Sequence, residues 1–481
     1  MKKKSKILSI LKWIAVVILL SFTLFFVVRA IGKAIYNQTP AEGINESMYI
    51  DVNGTKQWIS IYGEDIDNPV LLYLHGGPGS STSHLDYVIT RKWADVYTVV
   101  TWDQRNCGKS YSKDQKDVTL TKELFITDGK EVTEYVLDYL SKDKLTILGH
   151  SWGSIYGANL VQEYPEYYEC FIGTGQLVDC LENEEAFKQE AYIWAQNDEE
   201  MLKLVEQLTP DNATVDHFSV KNSIMQKYGY DMMANGADYN LISTMIFNPY
   251  YSISDWIKFF NTDMSAYLDF YSSDEFASFS LKEKIDYQVP FYNINGDKDY
   301  QTNYELAQEY YEEVNAPYKQ IFIMKNMTHG LLESDSEGFS EIVHQIAEIE
   351  SNDSYTDVAV GDETWGVTLT AENVTPTSLT IKCTQSGGEP TGELQTGSWY
   401  ILETWTQEEG WHEDSSHAEV CWTDEAWIIS KDSVTEWEVN WEWLYGALSE
   451  GKYRIGKEIM DFRGTGDYDK AIYFAEFEIL K

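Results

Sequence analysis

Basic residues are scarce in this 481-residue chain: lysine and arginine number 36 against 78 aspartates and glutamates, for a formal charge of −42. A surface of that sign repels phosphate and excludes nucleic acid as a partner. It suits a soluble, exported surface and says little about fold. Cysteine is rare as well, the whole set being Cys107, Cys170, Cys180, Cys383 and Cys421. No close cysteine pair is matched by a histidine pair, so no zinc site or other metal is expected. Five thiols in a chain of this length are too thin a set for a disulfide scaffold. Cys170–Cys180 and Cys383–Cys421 are open as pairs in an exported chain, but free, partly buried thiols are the expectation. Repeats and low-complexity tracts are absent. Apolar residues reach 43%, enough for a sizeable core and against general disorder. At roughly 100–200 residues per domain, two or three domains are expected.

The longest uncharged apolar stretches lie at the N-terminus. Residues 1–6 read M-K-K-K-S-K, and residues 7–28 are apolar except for Lys12, two serines and Thr23. A helix of that length crosses a hydrocarbon core of about 30 Å. The leading lysines place residues 1–6 in the cytoplasm, so residues 7–29 become a single-pass anchor in the cell membrane with the rest outside. A cleaved signal peptide would have a shorter apolar core of about 7–15 residues and a small-x-small cleavage site. Ala30-Ile31-Gly32 and Gly32-Lys33-Ala34 are poor sites of that kind, which favours an uncleaved anchor.

After a short polar linker over residues 36–46, residues 48–53 and 56–62 alternate as strands joined by Asn53-Gly54, a hairpin signal. Residues 70–74, 97–102 and 145–148 are short continuous apolar runs, as strands buried on both faces require. Helical periodicity over 123–140 falls between two of them. Strands alternating with helices predict a parallel sheet covered on both sides. Residues 179–284 change character. Aromatics, acids and helix formers dominate at 182–207, 224–233 and 254–263, which predicts a helical insertion. Strands return at 289–294 and 319–324, and a helix over 336–349 closes a domain spanning 36–351. Residues 351–359 form a polar linker. Residues 361–481 hold nine of the sixteen tryptophans among short alternating runs at 366–370, 378–383, 400–406, 426–429, 436–441 and 471–479. That spacing predicts a small β-sandwich over about 360–481.

Gly149-His150-Ser151-Trp152-Gly153 follows one strand and precedes a helical stretch. A G-x-S-x-G in that setting is a nucleophile elbow, which lifts the serine hydroxyl to the top of a sheet. A serine hydroxyl needs a general base, and the base needs an orienting acid. In the α/β-hydrolase fold the order is serine, acid, histidine. Asn295-Gly296-Asp297-Lys298-Asp299 follows a strand and offers two acids. Asp299, the last position of G-x-x-D, is favoured, and Asp297 is left to shape the turn. His329 sits just beyond the last strand, in the right order; His344, within the closing helix, is the weaker alternative. His75-Gly76-Gly77-Pro78-Gly79 follows residues 70–74. Its glycines let backbone N–H groups face an oxyanion, with Gly77 and Trp152 the expected donors.

Taken together these motifs resemble the proline iminopeptidase family of α/β-hydrolases. The resemblance rests on H-G-G-P-G at 75–79, on Asp103-Gln104-Arg105-Asn106-Cys107-Gly108-Lys109-Ser110, and on G-H-S-W-G at 149–153, and covers roughly residues 48–351. Asn106 stands where the family usually has glycine, so a local difference in that loop is expected. The resemblance implies the triad Ser151, Asp299 and His329 with oxyanion donors Gly77 and Trp152, no metal and no cofactor. It also implies release of an N-terminal residue, often proline, with acids of the cap holding the free amine; Glu182 and Glu184 are the candidates. Relatives with these motifs also act on esters and other amides, so a carboxylesterase or lipase-like activity is the alternative. The C-terminal part resembles a bacterial immunoglobulin-like domain, carried by Val439-Asn440-Trp441-Glu442-Trp443 and Gly451-Lys452-Tyr453-Arg454-Ile455-Gly456. Its tryptophans are read as core packing. Contact with cell-wall glycans is the other reading, and an inert hydrolase serving a surface-binding protein is the reading from outside enzymes.

Overall fold

The computed structural model describes residues 2–210, 214–351, 359–360, 363–406, 410–413, 426–464 and 467–479. The chain divides into two compact units, Met1–Ser351 and Asn352–Lys481. The expected linker at 351–359 lies largely outside the described residues.

The first unit is an α/β-hydrolase sheet of eight strands. They are β1 (Ile44–Val52), β2 (Thr55–Gly63), β3 (Val70–Leu74), β4 (Thr98–Asp103), β5 (Leu145–His150), β6 (Tyr168–Thr174), β7 (Phe291–Gly296) and β8 (Lys319–Met324). Their spatial order is β1-β2-β4-β3-β5-β6-β7-β8. β1, β2 and β4 pair antiparallel, and every later pairing is parallel. The hairpin closes where expected: Val52 faces Thr55, with Asn53 and Gly54 both at positive φ, the conformation a two-residue turn requires. β3, β4, β5 and β7 are buried at every residue, which is why they read as unbroken apolar runs. β6 is an addition to the expected strands. Glu169 and Gly173 interrupt its apolar run at the edge of the insertion.

Helices cover both faces and build the cap. In chain order they are α1 (Lys2–Tyr36), α2 (Tyr87–Thr90), α3 (Lys122–Leu140), α4 (Trp152–Glu163), α5 (Cys180–Ala195), α6 (Glu199–Val205), α7 (Val215–Tyr228), α8 (Leu241–Phe247), α9 (Ile253–Phe260), α10 (Ser265–Tyr271), α11 (Asp274–Ala277), α12 (Tyr304–Glu313), α13 (Leu331–Ser334) and α14 (Ser336–Ser351). The insertion is helical, as its composition requires, from α5 to α11. The single run expected over 182–207 is two helices, because Asp198 caps the N-terminus of α6 through Glu200 N and Met201 N. Gly229, at φ +76, ends α7 short of the expected residue 233.

Within α1, Ile10–Tyr36 is long and apolar enough to cross a membrane by length and composition. The C-terminal end of α1 is held against the residues that follow β3. Arg91 donates to Tyr36 O at 2.5 Å, and the Tyr36 ring meets Tyr87 at 4.9 Å.

The second unit has the antiparallel sheets of a bacterial Ig-like domain. Val367–Glu372, Ser378–Gln385 and Ser433–Asn440 form one sheet, and the long hairpin Gly451–Gly464 with Asp467–Ile479 organises the other. Its core includes Ile381, Cys383, Leu402, Trp441, Ile455 and Ile459. Trp405 and Trp443 are exposed. Cys107, Cys170, Cys180 and Cys383 are buried free thiols; Cys421 lies outside the described residues.

One buried ion pair ties the sheet to its loops. Arg105 donates from Nε and Nη2 to both Asp128 oxygens at 2.6 Å, and Asp128 also accepts from Gln57 at 2.9 Å and Asn53 at 2.8 Å. Removing one partner strands a buried charge, which costs far more than the pair contributes net. Arg105→Met is expected to lower stability by about 3–5 kcal/mol, read as a fall in the urea midpoint of the full chain in detergent. Lys56→Met breaks the exposed Lys56–Asp51 pair and is expected to cost under about 1 kcal/mol.

Candidate active site

Ser151 sits between the last residue of β5 and the first of α4, at φ 56 and ψ −121. That backbone is strained for a residue with a side chain. It is held by Ser151 N donating to Thr174 O at 2.9 Å and by Ser154 Oγ donating to Ser151 O at 2.6 Å. The flanking glycines are steric necessities. A Cβ on Gly149 would stand 2.2 Å from Gly153 O, and one on Gly153 would stand 2.1 Å from Leu74 O.

The loop after β7 brings an acid to an imidazole. Asp299 Oδ2 lies 2.7 Å from His329 Nδ1, both side chains being buried. Asp299 Oδ1 accepts from the backbone of Gln301 and Thr302 at 3.0 Å each, and Oδ2 accepts from Thr302 Oγ1 at 3.0 Å. These bonds fix the carboxylate, and the carboxylate fixes the tautomer that leaves His329 Nε2 as a proton acceptor. Asp297 instead accepts from Asn326 N at 2.6 Å and braces the turn. His344 pairs with Asp95 at 2.9 Å on α14. The ring of His150, the residue before Ser151, lies 4.8 Å from the ring of His329. Among the described residues no hydrogen bond joins Ser151 to His329. Such contacts are commonly long before substrate arrives.

Gly175, the residue after β6, lies beside the acid and the imidazole. At φ +49 it passes so close to the pair that a Cβ would stand 3.1 Å from His329 Nδ1 and Cε1 and 3.3 Å from Asp299 Oδ2. The signal in the sequence is a glycine directly after β6, a strand not anticipated.

On the other side, the 75–79 loop lies against the elbow. A Cβ on Gly76 would stand 3.1 Å from Ser151 Cβ, and Gly77 has φ +122. Trp152 is the first residue of α4, where backbone N–H groups are unpaired and the helix dipole is positive. Gln104 links both loops: its side chain donates to His75 O at 3.1 Å and accepts from Trp152 Nε1 at 3.2 Å, while its backbone N–H donates to His75 Nε2 at 3.2 Å. Asp103 accepts from Ser81, from Ser83 at 2.9 Å and from Lys109 N at 2.7 Å. Asn106 has φ 57, so it takes the conformation that glycine takes more freely. Burial pushes the His75 imidazole down to about 4, and that of His84 likewise.

Both cap glutamates are paired within the protein. Glu182 meets Lys282 at 2.6 Å and is partly exposed. Glu184 is buried and meets Lys221 at 2.7 Å and His217 at 2.8 Å. Burial would raise its carboxyl, but the Lys221 charge and the hydrogen bonds from His217 and Lys221 hold it down at about 2. An incoming ammonium has to compete with lysine at either residue. Lys221 also donates to Gln301 O at 3.1 Å, as does Asn183 at 3.0 Å. This group therefore braces the loop that carries Asp299. Tyr271 of α10 donates to Pro78 O at 3.2 Å, which sets the cap over the glycine loop.

Comparison with known proteins identifies the fold family. A family model described as alpha/beta hydrolase fold matches residues 69–314, just over half of the chain, and one described as bacterial Ig-like domain matches residues 363–478. The chain is 29% identical over 289 residues to a Bacillus subtilis (strain 168) protein named probable aminopeptidase YbaC, covering 58% of this chain and 89% of that one. It is 26% identical over 190 residues to a proline iminopeptidase of Lactobacillus helveticus (strain DPC 4571), covering 37% of this chain and 60% of that one. The crystal structure of a Mycobacterium smegmatis proline iminopeptidase superposes with a TM-score of 0.45 at 17% identity, over 63% of this chain and 98% of that one.

Gly175→Ala is expected to displace the His329 ring while the chain stays folded. A misplacement near 1 Å costs on the order of 100-fold, to be read as the rate of fluorophosphonate labelling at Ser151. The buried neutral imidazoles give a second expectation. Between the ordinary value of 6.5 and about 4, the unfolded chain binds protons at His75 and His84 that the folded chain does not. Stability is therefore fully present above pH 6.5 and falls as pH drops toward 4. Urea midpoints across that range measure it, and a flat profile would mean that both residues titrate normally.

Proposed function

The chain belongs to the α/β-hydrolase family, and on that premise we propose that it is a membrane-anchored serine hydrolase, acting as an aminopeptidase on N-terminal proline or a similar residue. The observation that carries the reading is the buried Asp299–His329 pair at 2.7 Å, its imidazole 4.8 Å from the ring of His150, the residue before an elbow serine at φ 56.

In this reading His329 Nε2 takes the proton of Ser151 Oγ as the oxygen attacks the scissile carbonyl. Asp299 holds the ring and stabilises the imidazolium without itself being protonated. The N–H groups of Gly77 and Trp152 receive the oxyanion, worth about 3–4 kcal/mol per donor in comparable sites. His329 then protonates the leaving amine, and an acyl-enzyme remains on Ser151. Water, deprotonated by the same nitrogen, releases the acid and restores the serine. Every step uses side chains and backbone of this chain alone.

The aminopeptidase reading draws support from the relatives named above and from the cap over the site. The lysine partners of Glu182 and Glu184 favour a second reading, a carboxylesterase that needs no amine ligand. The uncleaved span over residues 7–29 and an extracellular catalytic domain complete the proposal, supported by the apolar length of α1 and by the Ig-like unit.

The full chain is to be assayed in detergent on prolyl, alanyl and N-blocked prolyl arylamides beside a short-chain nitrophenyl ester. Ser151→Ala is expected to remove nearly all turnover with the fold intact, and residual activity within tenfold of the parent would overturn the role of Ser151. Cleavage of the free-amine prolyl substrate, lost on N-blocking, is the expected result. Ester cleavage alone would select the second reading.

A further inference from the structure

The apolar stretch of α1 ends at Val28, and the cap grips the residues that follow. Arg29 donates to Ile246 O at 2.6 Å and to Tyr251 O, and Lys33 Nζ donates to Tyr251 O at 3.0 Å. Gly32 passes so close to Phe247 that a Cβ there would stand 2.0 Å from the ring. At about 1.5 Å of rise per residue, Arg29 to Lys33 covers roughly one helical turn. A headgroup layer is about 5–7 Å deep on each side of the hydrocarbon. The end of α8 and the start of α9 therefore lie at headgroup height if α1 spans a bilayer.

Beside that contact, α8 and α9 of the cap carry exposed apolar side chains. On α9, Ile253, Ile257 and Phe260 recur at i, i+4 and i+7 and so share one face; Ile257 is 61% and Phe260 69% exposed. On α8, Leu241 is exposed and Ile242 is 70% exposed. Ile31 and Ile35 of α1 are exposed too and extend the apolar surface from the span toward the cap. The other face of α9 is occupied: Trp256 packs on Tyr251 at 4.7 Å and Phe259 on His84 at 4.5 Å. Its two charged residues are turned to Lys109. Asp255 meets Lys109 Nζ at 3.3 Å, and Lys258 donates to Lys109 O at 2.6 Å. In a chain with 78 acidic residues, a helix whose outer face is free of charge and apolar at helical period marks an interfacial surface.

We propose that the α8–α9 face of the cap is seated in the headgroup layer of the bilayer that α1 crosses, so that membrane lipid is its occupant. This rests on α1 being an uncleaved span. The consequence is that the cap over Ser151 is held at the membrane surface, and its position there depends on two contacts, the α1 grip and the lipid-facing stripe.

The test uses the full chain with Cys421→Ser, reconstituted in phosphatidylcholine vesicles. Ile257→Cys and Phe260→Cys each carry an environment-sensitive fluorophore, and Asp143→Cys, at the opposite end of β5 from Ser151, serves as the aqueous control. Carbonate extraction is run in parallel. Retention in the membrane, with quenching at 257 and 260 by shallow spin-labelled lipid and iodide quenching several-fold weaker than at 143, is the expected result. Retention with iodide quenching equal to the control would overturn the docking and leave the anchor standing. Release by carbonate would overturn both. Shielding from both quenchers, with disulfide-linked dimers of the unlabelled Ile257→Cys chain, would replace lipid by a second copy of the chain.

Discussion

The backbone of Ser151 is the constraint on which the first unit depends. A non-glycine residue at φ 56 stores about 1–3 kcal/mol, and the surroundings must overdetermine it. They do so by forbidding side chains nearby. Gly149 and Gly153 each bring backbone within a distance that a Cβ would not allow, and Gly76 leaves a Cβ only 3.1 Å from Ser151 Cβ. Two parallel strands, β3 and β6, supply Leu74 O and Thr174 O against the turn. The elbow is thus a consequence of the sheet's order, with β5 between β3 and β6. A hydroxyl is presented at the strand ends because no other exit is open to it.

A second layer of constraint is electrostatic. Three buried charges are matched across distant segments: Arg105 with Asp128, Glu184 with Lys221, Asp299 with His329. Each unmatched charge in such a place would cost several kcal/mol. The pairs therefore act as locks between segments distant in sequence. Arg105 joins the loop after β4 to α3, and Glu184 with Lys221 joins two cap helices to the carbonyl of Gln301, two residues from Asp299. Cap geometry and acid geometry are coupled by that lock. The same lock explains why a glutamate in an acidic helix reads poorly from sequence: solvated, amine-binding and internally paired glutamates have one letter.

The parallel strands, the hairpin at Asn53-Gly54 and the meeting of Asp299, not Asp297, with His329 were legible because each rests on local chemistry. Buried strands need continuous apolar runs, and a turn at positive φ needs glycine or asparagine. The backbone N–H groups of Gln301 and Thr302 that organise Asp299 follow it directly in the chain. What stayed hidden depends on distant partners. The place of Gly175 beside His329 follows from β6, whose seven residues lack an unbroken apolar pattern. The lysines opposite Glu182 and Glu184 lie far along the chain, at 282 and 221. Helix ends inside the cap were set by Asp198 and Gly229, single residues in a stretch whose periodicity alone reads as continuous helix.

The N-terminal helix gives these constraints a setting. A span followed by a flexible linker would leave the hydrolase unit free to turn above a membrane. Here the helix ends within hydrogen-bonding reach of both the cap and the sheet domain, through Arg29 and Lys33 on one side and Arg91 on the other. Those donors meet backbone carbonyls, whose positions do not depend on side-chain rotamers. The orientation of the unit relative to α1 is therefore built into its backbone. With α1 across a bilayer, the cap comes to the headgroups and the N-terminal ends of the parallel strands point elsewhere. The outer helices of that cap, α8 and α9, then turn exposed apolar side chains, Ile242, Ile257 and Phe260 among them, toward a layer that an acidic surface would avoid.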